Sequence, residues 1–190
     1  MYLIITSSPN NDGLTSACGI AALEGITFAG GDSEWIDISA AGLEPCRICN
    51  DGWGTCWDNA TCSIGDSLSG LQGKIRSAEG VMLITPVYFS QPSERMKYFL
   101  DRFRRCEAFN LSGSAAAGKQ FFLIAAAGSS GNGAAECLSE MERWCKNVGA
   151  VPYECIGISR YNRTLMLQAI KDSAERMVRG EYHMSFNREH

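Results

Sequence analysis

A chain of 190 residues with a formal net charge of −4 and a pI near 5.2 has room for one well-buried core. It lacks the basic surface needed to track a phosphate backbone, which excludes nucleic acid as a main partner. No apolar run approaches the ~20 residues needed to cross a bilayer, and Met1 to Thr6 lead into Ser7, Ser8 and Pro9 without a positive leader or a small-residue cleavage site. A soluble, cytoplasmic protein with no membrane contact is therefore expected.

The first apolar run, Tyr2 to Thr6, has strand length and no polar alternation, as suits a strand buried on both faces. It ends in Ser7, Ser8, Pro9, Asn10, Asn11, Asp12, Gly13, Leu14 and Thr15, a loop of hydroxyls, amides and glycine that opens a helix. A helix amino end gathers free N–H groups and the positive end of the dipole, so a phosphate monoester can be held there without a lysine. Ordinary strand-to-helix turns use the same residues for capping, which leaves both readings open. Glu34 to Ser39 alternates more and carries Asp37, which fits an edge strand.

A cysteine-rich insertion at 44–66 follows, with Cys46, Cys49, Cys56 and Cys62 inside seventeen residues, a C-x2-C-x6-C-x5-C spacing. Short intervals let sulfurs converge on one centre, and Gly52, Gly54 and Gly65 supply backbone freedom for wrapping it. In a reducing compartment such a group is more often a soft-metal site than a disulfide framework. Four thiolates suit an iron–sulfur cluster or, less well, tetrahedral zinc, and free or paired thiols are the third alternative.

Beyond the insertion, apolar stripes at helical period run through Leu68, Leu71, Ile75 and Ala78, through Met96, Phe99, Leu100 and Phe103, through Ala134, Leu138, Met141, Cys145 and Val148, and through Leu167, Ile170, Ala174 and Met177. Strand-like runs at Val81 to Ile84, Phe121 to Ala126 and Val151 to Ile158 alternate with them. This order predicts a three-layer α/β domain over 1–190, with five parallel strands in the flavodoxin-like order 2-1-3-4-5 and helices on both faces. Ligands then belong at the carboxyl ends of strands one, three and four. The remaining cysteines, Cys18, Cys106, Cys137, Cys145 and Cys155, read as small core residues, and His183 and His190 sit in a polar tail where a histidine is usually solvated.

The third strand runs into Thr85, Pro86, Val87, Tyr88 and Phe89, then Ser90, Gln91, Pro92, Ser93 and a helix bearing Met96, Lys97, Asp101 and Arg102. Together with the first loop, this stretch resembles the NAD(P)H-dependent FMN reductase family of flavodoxin-like proteins, and the cysteine loop resembles its iron–sulfur flavoprotein members. The resemblance implies that Ser8, Asn10, Leu14, Thr15 and Ser16 hold the FMN phosphate. It implies that Pro86, Val87, Tyr88 and Phe89 border the flavin ring, and that Gly128 and Ser129 of the glycine-rich turn after the fourth strand approach it. Without the resemblance, Tyr88 and Phe89 read as loop packing, and that turn as a flexible connection. Two positions depart from the family pattern: Asn10 stands where a basic residue is frequent, and Leu14 where asparagine or serine is frequent. The second cysteine interval is also wider than the two-residue gap of the better-known iron–sulfur members.

The resemblance implies an oxidoreductase in which hydride passes from NADH or NADPH to FMN and electrons pass to a quinone, nitro compound, free flavin, bound cluster or redox protein. Hydride moves directly between the two cofactors, so no catalytic side chain is expected. A homodimer or higher homo-oligomer is expected from the family. A non-enzymatic FMN and iron–sulfur electron carrier is the second reading, and a zinc-holding or thiol-sensing module on the same fold is the third.

Overall fold

The computed structural model describes residues 1–10, 12–110 and 112–181. Asn11 of the first loop and both histidines, His183 and His190, lie outside the described residues. Five parallel strands form the sheet: β1 (Tyr2–Thr6), β2 (Ser33–Asp37), β3 (Gly80–Tyr88), β5 (Gln120–Ala126) and β6 (Val151–Ile158). They lie in the order β2-β1-β3-β5-β6, with the two-residue β4 (Gln91–Pro92) paired antiparallel to the end of β3. Counting only the parallel strands, this is the anticipated 2-1-3-4-5 order.

Side chains that alternate along each strand face opposite layers. Leu3, Ile5, Val81, Leu83, Phe121 and Leu123 point into one core, which α3 (Leu68–Ser77), α4 (Glu94–Glu107) and α5 (Ala134–Asn147) cover. Tyr2, Ile4, Met82, Ile84, Phe122 and Ile124 point into the other, under α1 (Leu14–Phe28) and α6 (Arg163–Arg179). A strand covered on both sides reads as an unbroken apolar run, and each fully buried aliphatic chain contributes about 1.5–3 kcal/mol. Behind α4, Phe103 and Phe121 lie with ring centroids 5.4 Å and 5.5 Å from Trp144, whose Nε1 donates to Leu100 O at 2.8 Å.

Three details depart from the sequence expectation. β6 closes the far side of the sheet, and its residues 151–155 are exposed or half-buried rather than covered on both faces. β3 continues through Tyr88 and folds back into β4, whose pairing places Tyr88 opposite Gln91. The two-residue connection, Phe89 and Ser90, has positive φ at both positions (49° and 64°), a hairpin geometry that normally selects Asn-Gly. The insertion is not one uninterrupted loop, since it contains a 3-10 turn at Asn50–Gly52 and a short helix, α2, at Thr55–Asn59.

Candidate functional site

The carboxyl ends of β1, β2 and β3 meet at one rim. Ser7, the first residue past β1, brings its hydroxyl to 2.8 Å from that of Ser93 and 3.1 Å from Oγ1 of Thr85. The Ser93 N–H donates to Thr85 Oγ1 at 3.0 Å, and Ser93 Oγ caps α4 by accepting from Met96 N. This buried knot of hydroxyls ties two strand ends to the start of a helix.

Two adjoining cavities open on the rim. The smaller, about 140 Å³, is lined by Thr6, Ser8, Asn10, Thr15, Ser16, Trp35 and Asp37. It lies at the amino end of α1, where Gly13 provides no side-chain cap. The first intrahelical bond there runs from Ala17 N to Gly13 O. The N–H groups of Leu14, Thr15 and Ser16 precede that bond and are the helix donors available to an anion. Ser8 Oγ accepts from Asn10 N at 3.2 Å, which shapes the loop above them. Of the first-loop residues expected to hold a phosphate, Ser8, Asn10, Thr15 and Ser16 come together in this cavity. The Leu14 side chain instead packs on the core, which leaves only its backbone N–H at the helix end.

The larger cavity, about 490 Å³, is lined by Ser7, Pro9, Asp37, Ser39, Ala40, Tyr88, Ser93, Glu94 and Arg95. This falls within the range of small-molecule sites. Asp37 belongs to both cavities and so joins them; its Oδ1 accepts from the backbone N–H of Ser39 at 2.9 Å and lies 2.7 Å from the Ser39 hydroxyl. Trp35 donates from Nε1 to Thr6 Oγ1 at 2.9 Å. Its ring packs closely against α1 because residue 19 is glycine: a Cβ there would sit 2.4 Å from the ring.

Tyr88 lines the larger cavity, while Phe89 at the hairpin tip is fully exposed. Pro86 and Val87 are half-buried beneath the tip, and Val87 packs on the core. The glycine-rich turn reaches the hairpin at one point, where a Cβ on Gly133 would lie 2.7 Å from Ser90 Cα. Gly128 and Ser129 are exposed and line neither of these two cavities. Asp37, Ser39, Trp35, Ser7, Ser93 and Arg95 were not singled out from the sequence as site residues. Ser39, just past the edge strand at the same end of the sheet, is the one that the strand order should have revealed.

The four insertion cysteines, each half-buried, line one further cavity together with Ser63, Ile64, Arg102, Arg105 and Cys106. The enclosed space is small, about 20 Å³. Among the described residues no three Cys, His, Asp or Glu groups come close enough to hold a single metal ion. Three arginines of α4 bond to backbone carbonyls of the insertion and of the residue just before it. Arg95 donates to Leu43 O at 2.9 Å, Arg102 to Glu44 O at 3.0 Å and Arg105 to Gly52 O at 2.5 Å. Arg105 also lies 4.8 Å from the centroid of Trp53, whose ring meets Trp57 at 5.1 Å and Phe109 at 6.0 Å.

Arg102 is the buried centre of this arrangement, with its fork on Asp66 at 2.5 and 2.9 Å and Nη2 3.1 Å from Cys62 Sγ. Burial works against the Arg102 charge, but the hydrogen bonds to Asp66 and Cys62 outweigh it and raise its pKa. Burial likewise would push the Asp66 carboxyl up. The hydrogen bonds from Arg102 and from the N–H groups of Glu44 and Leu68 overcome this and hold it below its ordinary value of 3.8. Cys106, read from the sequence as a core residue, does belong to the core, and it is also a wall of the cysteine cavity.

Among the described residues, the non-glycine positions with positive φ fall at these sites. Of the six non-glycine residues with positive φ among the described residues, Ile48, Asn50, Asp51 and Ala60 lie in the insertion, and Phe89 and Ser90 form the hairpin tip. Such conformations persist where surrounding structure fixes them, commonly at binding sites.

A polar cavity at a helix amino end, joined to a larger one at the strand ends, is the crevice in which doubly wound α/β proteins bind ligands. The sequence profile of the NADPH-dependent FMN reductase family matches residues 2–162, and the chain belongs to that family. It is similar to an iron–sulfur flavoprotein of Methanocaldococcus jannaschii, 33% identical over 100 residues, which is 53% of this chain and 50% of that protein. An iron–sulfur flavoprotein of Archaeoglobus fulgidus is 31% identical over 98 residues, 52% of this chain and 43% of that one. The matched segment thus spans about half the length of these relatives. In fold, the chain resembles an NAD(P)H:quinone oxidoreductase from Methanothermobacter marburgensis, with a TM-score of 0.73 and 16% identity over 96% of each chain. It also resembles the flavoenzyme FerB of Paracoccus denitrificans, with a TM-score of 0.64 and 14% identity over 94% of this chain and 97% of that one. Among the described residues no helix is long and apolar enough to cross a membrane.

Proposed function

We propose that this chain is one flavodoxin-like domain that binds FMN, takes hydride from NADH or NADPH, and passes electrons to an iron–sulfur cluster on Cys46, Cys49, Cys56 and Cys62. Onward acceptors would be a quinone, a nitro compound, free flavin or a redox protein. The observation that carries the reading is that one helix serves both cavities. Ser93 and Arg95, at the start of α4, line the rim cavity, while Arg102, Arg105 and Cys106, about two to three turns on, line the cysteine cavity. Nine residue steps along the helix lead from Ser93 to Arg102, about 14 Å along the axis.

The residues present suit both groups. The N–H groups of Leu14, Thr15 and Ser16, with the Thr15 and Ser16 hydroxyls, suit the FMN phosphate, and neither depends on a basic side chain at position 10. Tyr88 offers an aromatic face, and Ser39 and Ser93 fixed polar groups, to the flavin ring. When bound, FMN supplies two-electron acceptance from nicotinamide and one-electron delivery onward. The protein's share is to seat the ring between Tyr88 and the hydroxyl knot and to hold the loops rigid around it. Four thiols lining one cavity are the donor set of an iron–sulfur cluster, which spreads its thiolates over several irons.

Anaerobic mixing of FMN-loaded protein with NADH or NADPH tests the reading, with loss of oxidised-flavin absorbance expected. No reduction by either nucleotide, with reduction by ferredoxin instead, would make the chain an electron carrier. A colourless preparation holding zinc and no FMN would support the thiol-module alternative. Cytoplasmic residence and a homodimer complete the reading, and light scattering that gives a monomer at micromolar concentration would remove the latter.

A further inference from the structure

Among the described residues, one buried side-chain nitrogen or oxygen is left without a hydrogen-bond partner, and it is Nε of Arg102. The residue is 1% exposed and forms part of the wall of the cysteine cavity. A guanidinium has five N–H donors. Nη1 serves Glu44 O and Asp66 Oδ2, and Nη2 serves Asp66 Oδ1 and Cys62 Sγ. The fifth donor is desolvated without compensation, a condition that ordinarily costs about 1–3 kcal/mol and that native structures rarely tolerate without a reason.

The surroundings hold Arg102 rather than release it. Asp66 grips the fork from the end of the insertion, and Asp66 in turn accepts from Glu44 N at 3.1 Å and Leu68 N at 3.2 Å. If Arg102 served only as a structural staple, Nε would be expected to face a backbone carbonyl, as Nη1 does toward Glu44 O. Instead the one free donor belongs to the residue that already donates to a thiol sulfur of the four.

We propose that Arg102 is a positioning residue for the iron–sulfur cluster, donating from Nη2 to the Cys62 thiolate and from Nε to a second sulfur of the cluster, and thereby raising its reduction potential. The inference rests on the cluster reading given above. Its physical basis is that hydrogen bonds to cluster sulfurs and a fixed neighbouring positive charge both stabilise the state carrying one more electron. The electron comes from the reduced flavin at the other end of α4, and no atom of Arg102 changes its bonding. The ion pair with Asp66 fixes the donor geometry, so reduction demands little reorganisation there.

The test begins with the wild-type chain, reconstituted anaerobically with ferrous iron and sulfide. Failure to take up both would sink the cluster reading itself and this inference with it. With a cluster loaded, two results are expected. Exchange into heavy water should shift the iron–sulfur stretching bands in resonance Raman spectra, reporting N–H donors on sulfur, a measurement that needs no variant. Arg102→Met should then lower the ratio of reduced to oxidised cluster at a fixed poise about tenfold, equivalent to 59 mV for a one-electron couple, with Arg102→Lys in between. Unshifted bands in heavy water, or equal ratios in all three proteins at equal cluster content, would overturn the role of Arg102 while leaving the cluster reading intact.

Discussion

Ser7 and Ser93 stand 86 residues apart in the chain and meet through their hydroxyls at 2.8 Å, where they lock the end of β1 to the start of α4. The same contact borders the cavity assigned to the flavin. Ser93→Ala removes both this bond and the cap on Met96 N. A loss of about 1–2 kcal/mol in urea denaturation is expected, together with weaker FMN binding. Ser93→Thr keeps a hydroxyl and should recover most of both, and equal FMN affinity in all three proteins would place the ring elsewhere.

The hairpin tip offers a second test. Gly133 and Gly131 both have φ of 80°, so alanine at either position incurs the same left-handed penalty, about 1–2 kcal/mol. Only at 133 would the new Cβ also meet Ser90, at 2.7 Å. Gly133→Ala should therefore displace the hairpin carrying Tyr88 and weaken FMN binding several-fold. Gly131→Ala should lose stability without that effect. Fluorescence titration of the two variants distinguishes the contact from the backbone penalty, and identical affinities would show that the hairpin does not bear on the site.

Much of this arrangement was legible in the sequence, because strand-to-helix loops announce themselves through local residue types. Ser8, Asn10, Thr15 and Ser16 lie close together in the chain, and the strand order followed from the alternation of apolar runs. What was not legible depends on contacts made across long separations. Ser39 lay within reach of the strand order, since β2 lies beside β1, but nothing in its residue type marks it. Arg102 reads in the sequence as one more charge on a helix, and only its 40-residue reach to Cys62 sets it apart. The hairpin left no sequence signal because Phe89 and Ser90 carry none of the glycine or asparagine that such a turn usually shows, so its strain is stored in the fold rather than written in residue type.

Thiol chemistry should divide the cysteines into two groups. Burial pushes Cys18, Cys106, Cys137, Cys145 and Cys155 up to about 12. At pH 8 only about one in ten thousand of these is the nucleophilic thiolate. Iodoacetamide followed by mass spectrometry should leave all five unmodified in the native protein and label Cys46, Cys49, Cys56 and Cys62 once iron is stripped by a chelator. Loading with iron and sulfide should protect those four together. Labelling that is indifferent to loading would remove them as ligands.

Acid stability should depend on the ion pair beneath the insertion. Asp66 is held below its ordinary value of 3.8 in the folded chain, so its contribution is complete above that pH and is withdrawn as pH falls through the lower native value. Asp66→Asn leaves Arg102 buried without its counter-ion and should cost about 3 kcal/mol at neutral pH. The substitution should also flatten the stability curve as pH falls below about 4. If the acid limb of the Asp66→Asn variant is as steep as that of wild type, the limb belongs to other carboxyls.

The central claim, that the rim formed by Ser7, Ser39, Tyr88 and the amino end of α1 seats FMN, is tested most directly by titrating the apoprotein with FMN while following flavin fluorescence and the melting temperature. Saturable quenching at one FMN per chain is expected. Stabilisation should approach about 2.7 kcal/mol when free FMN reaches a hundred times Kd. Fluorescence that stays unquenched and a melting temperature that does not move at saturating FMN would contradict it.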